Sequence, residues 1–206
     1  MFASLRSQAK NQGEALLGIW GDADSGKTHL INAVSGYSRE IDQSLFLYNG
    51  HDLKHIDPDQ LGELPPGQMI AIDNMDELCG IMAWERYLYR LINLCRDNKQ
   101  RLLFSSKTRP ADLICLLEDL KSRLCWGLLF QLPIVSDESL GWIIKFRAQL
   151  LGLTLSDDVV RYLLTRYSRQ LGAQLKLLSR LDRASLANQR RITIPMIKQV
   201  LSDEGN

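Results

Sequence analysis

The chain is predicted to be α/β, a parallel sheet flanked by helices and followed by a smaller all-α unit. Three observations carry this. From Leu16 to Leu132 short unbroken apolar runs alternate with stretches of helical period, as in a sheet buried on both faces. The first run opens into a glycine-bracketed loop and then a helix, and after Ser136 only helical periods remain. The expected division is an N-terminal segment over 1–14, an α/β core over 15–134 and a helical lid over 135–206.

Composition narrows the class. Of 206 residues, 45% are hydrophobic and 24% charged, as in an ordinary globular protein. Lys+Arg number 25 and Asp+Glu 24, a formal charge of +1, so no global field draws in nucleic acid or membrane, and strong direct DNA binding is not expected. No apolar run is long enough to span a bilayer, and residues 1–13 lack the apolar stretch of a signal peptide, which predicts a cytoplasmic protein without a membrane partner. Cys79, Cys95, Cys115 and Cys125 form no C-x-x-C pair and keep mostly apolar company, so they read as buried reduced thiols rather than disulfides or zinc ligands.

Taken in order, the first thirteen residues predict a short helix ending at Gly13. Leu16–Trp20 is a buried strand, and Gly21-Asp22-Ala23-Asp24-Ser25-Gly26-Lys27-Thr28 meets the G-x-x-x-x-G-K-[ST] pattern. Glycines at Gly21 and Gly26 let the loop turn its N–H groups, with those of Ser25 and His29 nearby, onto a phosphate at a helix N-terminus. Lys27 reaches toward the β- and γ-phosphates and the Thr28 hydroxyl toward Mg²⁺, so the expected cofactors are ADP or ATP with Mg²⁺. The plainer alternative is a glycine-containing strand-to-helix turn with a surface lysine. Asp22 and Asp24 should face away from an anion.

The helix after this loop should stop near Gly36, and Ser44–Tyr48 reads as a strand closed by Asn49-Gly50. His51 and His55 have the spacing of a two-histidine metal face, but with no third ligand evident a solvated helix is the better reading. A proline- and glycine-rich loop over Pro58–Gly67 leads into Met69–Asp73. That run has no polar alternation until its final residue, so Asp73 is either a helix N-cap or, paired with the upstream loop, the carboxylate that holds the Mg²⁺ shell. One long amphipathic helix over Asp76–Asn98, a strand over Arg101–Ser106, a helical segment from Arg109 to Leu124 and a strand over Gly127–Leu132 complete the core. Helices over Asp137–Leu151, Ser156–Tyr167 (capped by Ser156), Arg169–Asn188 and a last one capped by Thr193 make the lid.

A phosphate loop, a buried strand ending in Asp, a strand ending in hydroxyls and a helical lid together resemble the AAA+ P-loop NTPase plan. Gly26-Lys27-Thr28-His29-Leu30, Ala71-Ile72-Asp73-Asn74, Leu120-Lys121-Ser122-Arg123-Leu124-Cys125-Trp126-Gly127 and Leu181-Asp182-Arg183-Ala184-Ser185 narrow it further. They resemble the DnaA-related AAA+ family, and most closely its shortened Hda branch. The resemblance implies that Lys27, Thr28 and Asp73 hold nucleotide and Mg²⁺, that Ser105 or Ser106 serves as sensor 1, and that Arg123 is a trans-acting arginine finger. A helix C-terminal cap is the plainer role for Arg123.

Four departures from the family pattern stand out. Asn74 occupies the place of a catalytic glutamate, and a carboxamide cannot take a proton from water, which predicts weak or absent hydrolysis unless Asp76 or Glu77 substitutes. Gly172 occupies the sensor 2 arginine position, with Arg169 nearby. The stretch ahead of Gly21 is short for an adenine-covering strand and loop, which is expected to weaken nucleotide binding. No Gln-Leu-x-Leu-Pro clamp peptide precedes Gly21, although Gln60-Leu61-Gly62-Glu63-Leu64-Pro65 is similar with one extra residue.

The resemblance therefore implies an Hda-like regulator that promotes hydrolysis of DnaA-bound ATP, with DnaA as partner, the DNA polymerase sliding clamp as a weaker expectation, and a homo-oligomer open. Two alternatives stand beside it. One is a DNA-handling ATPase of the helicase-loader type, for which Arg180, Arg183, Arg190 and Arg191 form only a modest basic cluster. The other is an interaction module that no longer uses nucleotide.

Overall fold

The structure, a computed structural model, describes residues 1–61, 68–98, 100–168, 171–188 and 192–202. The chain divides into two compact units, Met1–Ile134 and Val135–Asn206.

The first unit holds a sheet of five parallel strands, β1 (Leu16–Trp20), β2 (Leu45–Asn49), β3 (Met69–Asp73), β4 (Arg101–Ser106) and β5 (Leu128–Gln131), in the order β2-β3-β4-β1-β5. Strand alternation sends Leu16, Ile70, Ile72, Leu102 and Phe104 to one face, and Leu17, Ile19, Met69, Ala71 and Leu103 to the other. Both faces are covered. On the first face lie α4 (Met82–Asp97) and α5 (Glu118–Leu124), with Trp84, Leu88, Ile92, Leu120 and Leu124 inward. On the second lie α1 (Phe2–Ala9) and α2 (Lys27–Glu40), with Leu5, Ala9, Ile31 and Val34 inward. Burial on both sides is why β1, β3 and β4 read as unbroken apolar runs, each buried Leu or Ile contributing about 1.5–3 kcal/mol.

Strand register sets the level of the site. Asn49 pairs with Asp73, Ile72 with Phe104, and Ile19 with Ser105. Asn49, Asp73 and Ser105 therefore stand side by side where the strands end.

Several local expectations are corrected. The α2 helix runs through Gly36 to Glu40, because Val34, Ser35 and Ser38 keep its inner face buried and Ser38 Oγ donates to the Ala9 carbonyl at 3.3 Å. The long helix expected from Asp76 is interrupted: a 3₁₀ turn over Met75–Leu78 is closed by Cys79, and Gly80, with a φ of 83°, breaks the helical run before α4. The stretch from Arg109 is likewise a 3₁₀ turn over Pro110–Asp112, an extended segment, and only then α5. The first helix ends at Ala9 rather than Gly13. Of the four cysteines only Cys95 is buried, while Cys79 and Cys115 are half-buried and Cys125 is exposed.

The rings of His51 and His55 meet edge to face at 6.1 Å, with α3 (Gly50–Leu53) ending between them. Among the described residues no group of three or more His, Cys, Asp or Glu side chains is arranged to hold a metal, and no helix is long and apolar enough to cross a membrane.

The second unit packs α6 (Asp137–Leu150), α7 (Asp157–Arg166), α8 (Leu171–Asn188) and α9 (Ile194–Ser202) around Leu140, Ile144, Leu163, Leu178, Leu181 and Ile197. Ser136 and Ser156 cap α6 and α7 by accepting from the Ser139 and Val159 N–H groups. Gln174 on α8, wholly buried, donates to the carbonyls of Leu163 and Ser168 and ties off the end of α7.

Candidate functional site

The glycine-bracketed loop leaves β1 and enters α2 at Gly26, whose φ of 94° is left-handed and closed to a side chain without strain. Gly26 offers α2 no side-chain cap, which among the described residues leaves the first turn in the arrangement that receives an anion. Lys27 heads the helix and folds back over the loop. Its Nζ donates to the carbonyl oxygens of Gly21 and Asp22, both at 2.6 Å, and to Ser25 Oγ at 3.4 Å. The residue is only 6% exposed, and this burial pushes its pKa below the ordinary lysine value, against the opposing pull of the Asp76 and Asp73 carboxylates. Asp22 and Asp24 are exposed.

Asp73 is the hub. At 3% exposure its carboxylate takes a hydrogen bond from Thr28 Oγ1 at 2.6 Å, one from the Ser105 hydroxyl, and one from the Asn74 N–H at 3.2 Å. A buried anion needs such partners. Thr28 and Asp73, brought together from opposite ends of the motif set, offer hydroxyl and carboxylate oxygens side by side, the donor chemistry of a hard divalent cation such as Mg²⁺.

Ser105 and Ser106 diverge. Ser105 Oγ donates to Asp73 and accepts from the Asn74 N–H at 2.8 Å, while Ser106 Oγ donates to its own loop at the Thr108 carbonyl, 2.6 Å away. Ser106 serves instead through its backbone carbonyl, which accepts from the Gly21 N–H at 3.2 Å and pins the start of the loop to β4. His29 is exposed on the first turn of α2. Asn74, in the left-handed region at φ 53°, points its amide to Asn49 Oδ1 at 3.4 Å. Of the two neighbouring carboxylates, Glu77 is committed to Lys54 at 2.7 Å and Lys107 at 3.4 Å, which hold it below the usual glutamate range. Asp76 Oδ1 is buried without a hydrogen-bond partner among the described residues.

Arg123 stands in a second assembly. Its guanidinium lies 4.3 Å from the Tyr89 ring centre and 4.6 Å from that of Trp126, donates to the Tyr89 hydroxyl at 2.8 Å, and donates to Asn93 Oδ1. Arg96 covers Trp126 at 5.1 Å, and Trp126 remains 52% exposed. Tyr89, Asn93 and Arg96 share one face of α4 by helical spacing. None of these partners belongs to the Lys27–Asp73 network. The sequence motifs did not single out Tyr89, Asn93 or Asn49; for Tyr89 and Asn93 the four-residue spacing was the available signal.

Other sequence candidates fall partly or wholly outside the described residues. Gly172 lies in the first turn of α8, while Arg169 is outside them. Gln60 and Leu61 end a 3₁₀ turn and Gly62 to Pro65 lie outside. Arg190 and Arg191 also lie outside, and Arg180 donates to the Val200 carbonyl, tying α8 to α9.

Known proteins resemble this chain in sequence and in fold. A Haemophilus influenzae protein described as uncharacterized is 33% identical over 201 residues, 97% of this chain and 87% of its own length. The family model for the Hda lid domain matches residues 137–201. This chain belongs to the DnaA-related, Hda-like AAA+ family. Solved structures agree at the level of fold. Domain III of the Thermotoga maritima replication initiation protein DnaA matches with a TM-score of 0.80 at 20% identity, covering 98% of this chain and 89% of that one. AMPPCP-bound DnaA from Aquifex aeolicus matches at 0.65 and 20%, covering 79% and 55%, and the T. maritima RuvB branch migration motor at 0.70 and 20%, covering 98% and 66%. The lid match gives residues 137–201 of this AAA+ chain their own family signature, separate from the phosphate-loop motif.

Proposed function

We propose that this protein is an Hda-like regulator of replication initiation that binds an adenine nucleotide at the Lys27–Asp73 network and promotes hydrolysis of DnaA-bound ATP through Arg123. The observation that carries the reading is the division of labour between the two assemblies. Lys27, Thr28, Asp73 and Ser105 converge at the strand ends with the residue types that hold a nucleotide and Mg²⁺, yet the adjacent Asn74 has no proton-accepting group and its amide is bound to Asn49. Arg123 shares none of those contacts and is held half-exposed between two rings.

Lys27 would leave its two loop carbonyls to meet the β- and γ-phosphates, and Thr28 and Asp73 would carry the Mg²⁺ shell. A metal held there would supply charge neutralisation to the phosphates. Ser105 orients the Asp73 carboxylate by donating to it, and Asn74 holds the strand end without acting as base. Hydrolysis by this chain alone is then slow. A cation positioned against a partner's γ-phosphate stabilises the charge developing there, an effect of about 10³–10⁵ in rate in comparable systems. AMPPCP in the Aquifex DnaA structure supports an adenine nucleotide for the fold.

The test mixes purified nucleotide-loaded DnaA with this protein and with its Arg123→Ala variant. Stimulated ATP hydrolysis that the variant loses supports the proposal; equal rates with the protein, the variant and neither would end it. Calorimetry with ADP and Mg²⁺ tests the nucleotide half separately, and absence of binding at millimolar ligand would leave a nucleotide-independent module.

A further inference from the structure

Two of the four cysteines lie side by side outside the Lys27–Asp73 network and the Arg123 clamp. Cys79 closes the 3₁₀ turn that follows β3, Cys115 lies on the extended segment ahead of α5, and the two thiols are near enough to interact electrostatically. Their meeting does not rest on the thiols alone. Glu85, wholly buried on the first turn of α4, accepts at Oε1 from the N–H groups of Gly80 at 2.6 Å and Leu116 at 3.0 Å, and at Oε2 from that of Leu117 at 2.7 Å. The residue after each cysteine is therefore bonded to one and the same oxygen. A buried carboxylate satisfied by three backbone donors is costly to displace, so it keeps the two segments side by side. Both cysteines pack against the same apolar cluster, and both are half-buried. Ile114 and Leu116, which flank Cys115, are exposed and give a small reagent access.

Their chemistry differs. The interaction with the Cys79 thiol lowers the Cys115 pKa and so favours its thiolate, whereas the same interaction and burial push Cys79 well up. Cys95, pushed up to about 12 by burial against the opposing charge of Arg101, is an inert internal control.

We propose that Cys79 and Cys115 form an oxidisable dithiol, a modification site for low-molecular-weight disulfides such as oxidised glutathione. The Cys115 thiolate attacks one sulfur of the reagent, forming a mixed disulfide and releasing one glutathione thiolate, which takes up a proton. Cys79 then loses its proton to solvent and attacks the Cys115 sulfur. A Cys79–Cys115 disulfide forms and the second glutathione leaves as a thiol. The two cysteines lose two electrons and the reagent gains them, becoming two thiols. The new bond would tether the segment following Asp73 to the segment following Ser106, and so link the redox state of the pair to the strand ends that carry the site.

The test treats the full chain, in a Cys125→Ser background so that the exposed thiol does not compete, with excess oxidised glutathione and maps the product by mass spectrometry. The expected product has lost two hydrogens and yields a cross-linked Cys79–Cys115 peptide, with Cys95 free. A further Cys79→Ser change should trap one glutathione on Cys115, and Cys115→Ser should slow glutathione uptake at Cys79 by at least about tenfold. Cys79 and Cys115 both remaining alkylatable after treatment, or the two single variants taking up glutathione at equal rates, would overturn the proposal. Because only covalent products are read, failure here is independent of whether nucleotide or DnaA binds.

Discussion

Lys27 and Arg123 are both cations partly withdrawn from water, and they are held in opposite ways. Lys27 is cradled by carbonyl oxygens and a hydroxyl two to six residues before it in the chain. Arg123 is gripped by side chains 30 and 34 residues away on α4, and by the face of Trp126. Backbone carbonyls are available to any sequence that makes the turn, so the cradle needs only glycines in the right places. Two aromatic rings need two elements packed in register. The compact, strongly hydrated ammonium suits the first setting, and the flat guanidinium, which stacks on rings and donates in its plane, suits the second.

That contrast can be broken at either end. The largest effect is expected from Lys27→Ala, which would remove the charge-assisted contacts proposed to the phosphates and should raise the Kd for ADP–Mg²⁺ by about a hundredfold in calorimetry, with the far-UV circular dichroism unchanged. Next comes Tyr89→Ala, which takes away both a ring face and a hydroxyl partner of Arg123. It should lower stimulation of DnaA-bound ATP hydrolysis by about tenfold while leaving ADP affinity as it was. An equal loss of ADP affinity would show that the two assemblies are not separate. Tyr89→Phe sharpens the comparison, because it keeps the ring and deletes only the hydrogen bond, and a drop of about threefold in the same assay is expected.

The smallest effect concerns the ion pairs beside the site. Lys54 holds Glu77 below its ordinary pKa, so the folded state favours the charged form more than the unfolded state does. That contribution is present above the unfolded glutamate pKa and disappears as pH falls through the folded value. Screening at this part-exposed pair limits it to about 1 kcal/mol or less. Urea midpoints of wild type and Glu77→Gln should therefore differ at neutral pH and converge in acid; a difference that persists in acid would mean that packing, not charge, is responsible.

Much of the Lys27–Asp73 network was legible before folding was considered. Lys27, Thr28 and Asp73 sit in two short motifs, and each motif also announces its own strand or helix, so residue type and local structure point the same way. The breaks near Gly80 and Leu113 were not legible. There the apolar spacing of a helix continues through residues that fold as 3₁₀ turns and extended chain, because Glu85 captures the Gly80, Leu116 and Leu117 N–H groups and draws both segments out of helical geometry. Gly36 misled in the other direction. A glycine costs a helix about 1 kcal/mol, less than the burial of the surrounding α2 face returns.

From its residues alone the chain declared a two-face parallel sheet, a glycine-bracketed strand-to-helix loop, an acidic strand end and a helical appendage, since each of these depends on spacing within a few residues. Folding was needed to choose Ser105 over Ser106 as the Asp73 partner, to give Arg123 its aromatic clamp and to set Cys79 against Cys115. Those choices rest on strand register and on contacts between residues about thirty positions apart, and no local pattern specifies which distant side chain will arrive.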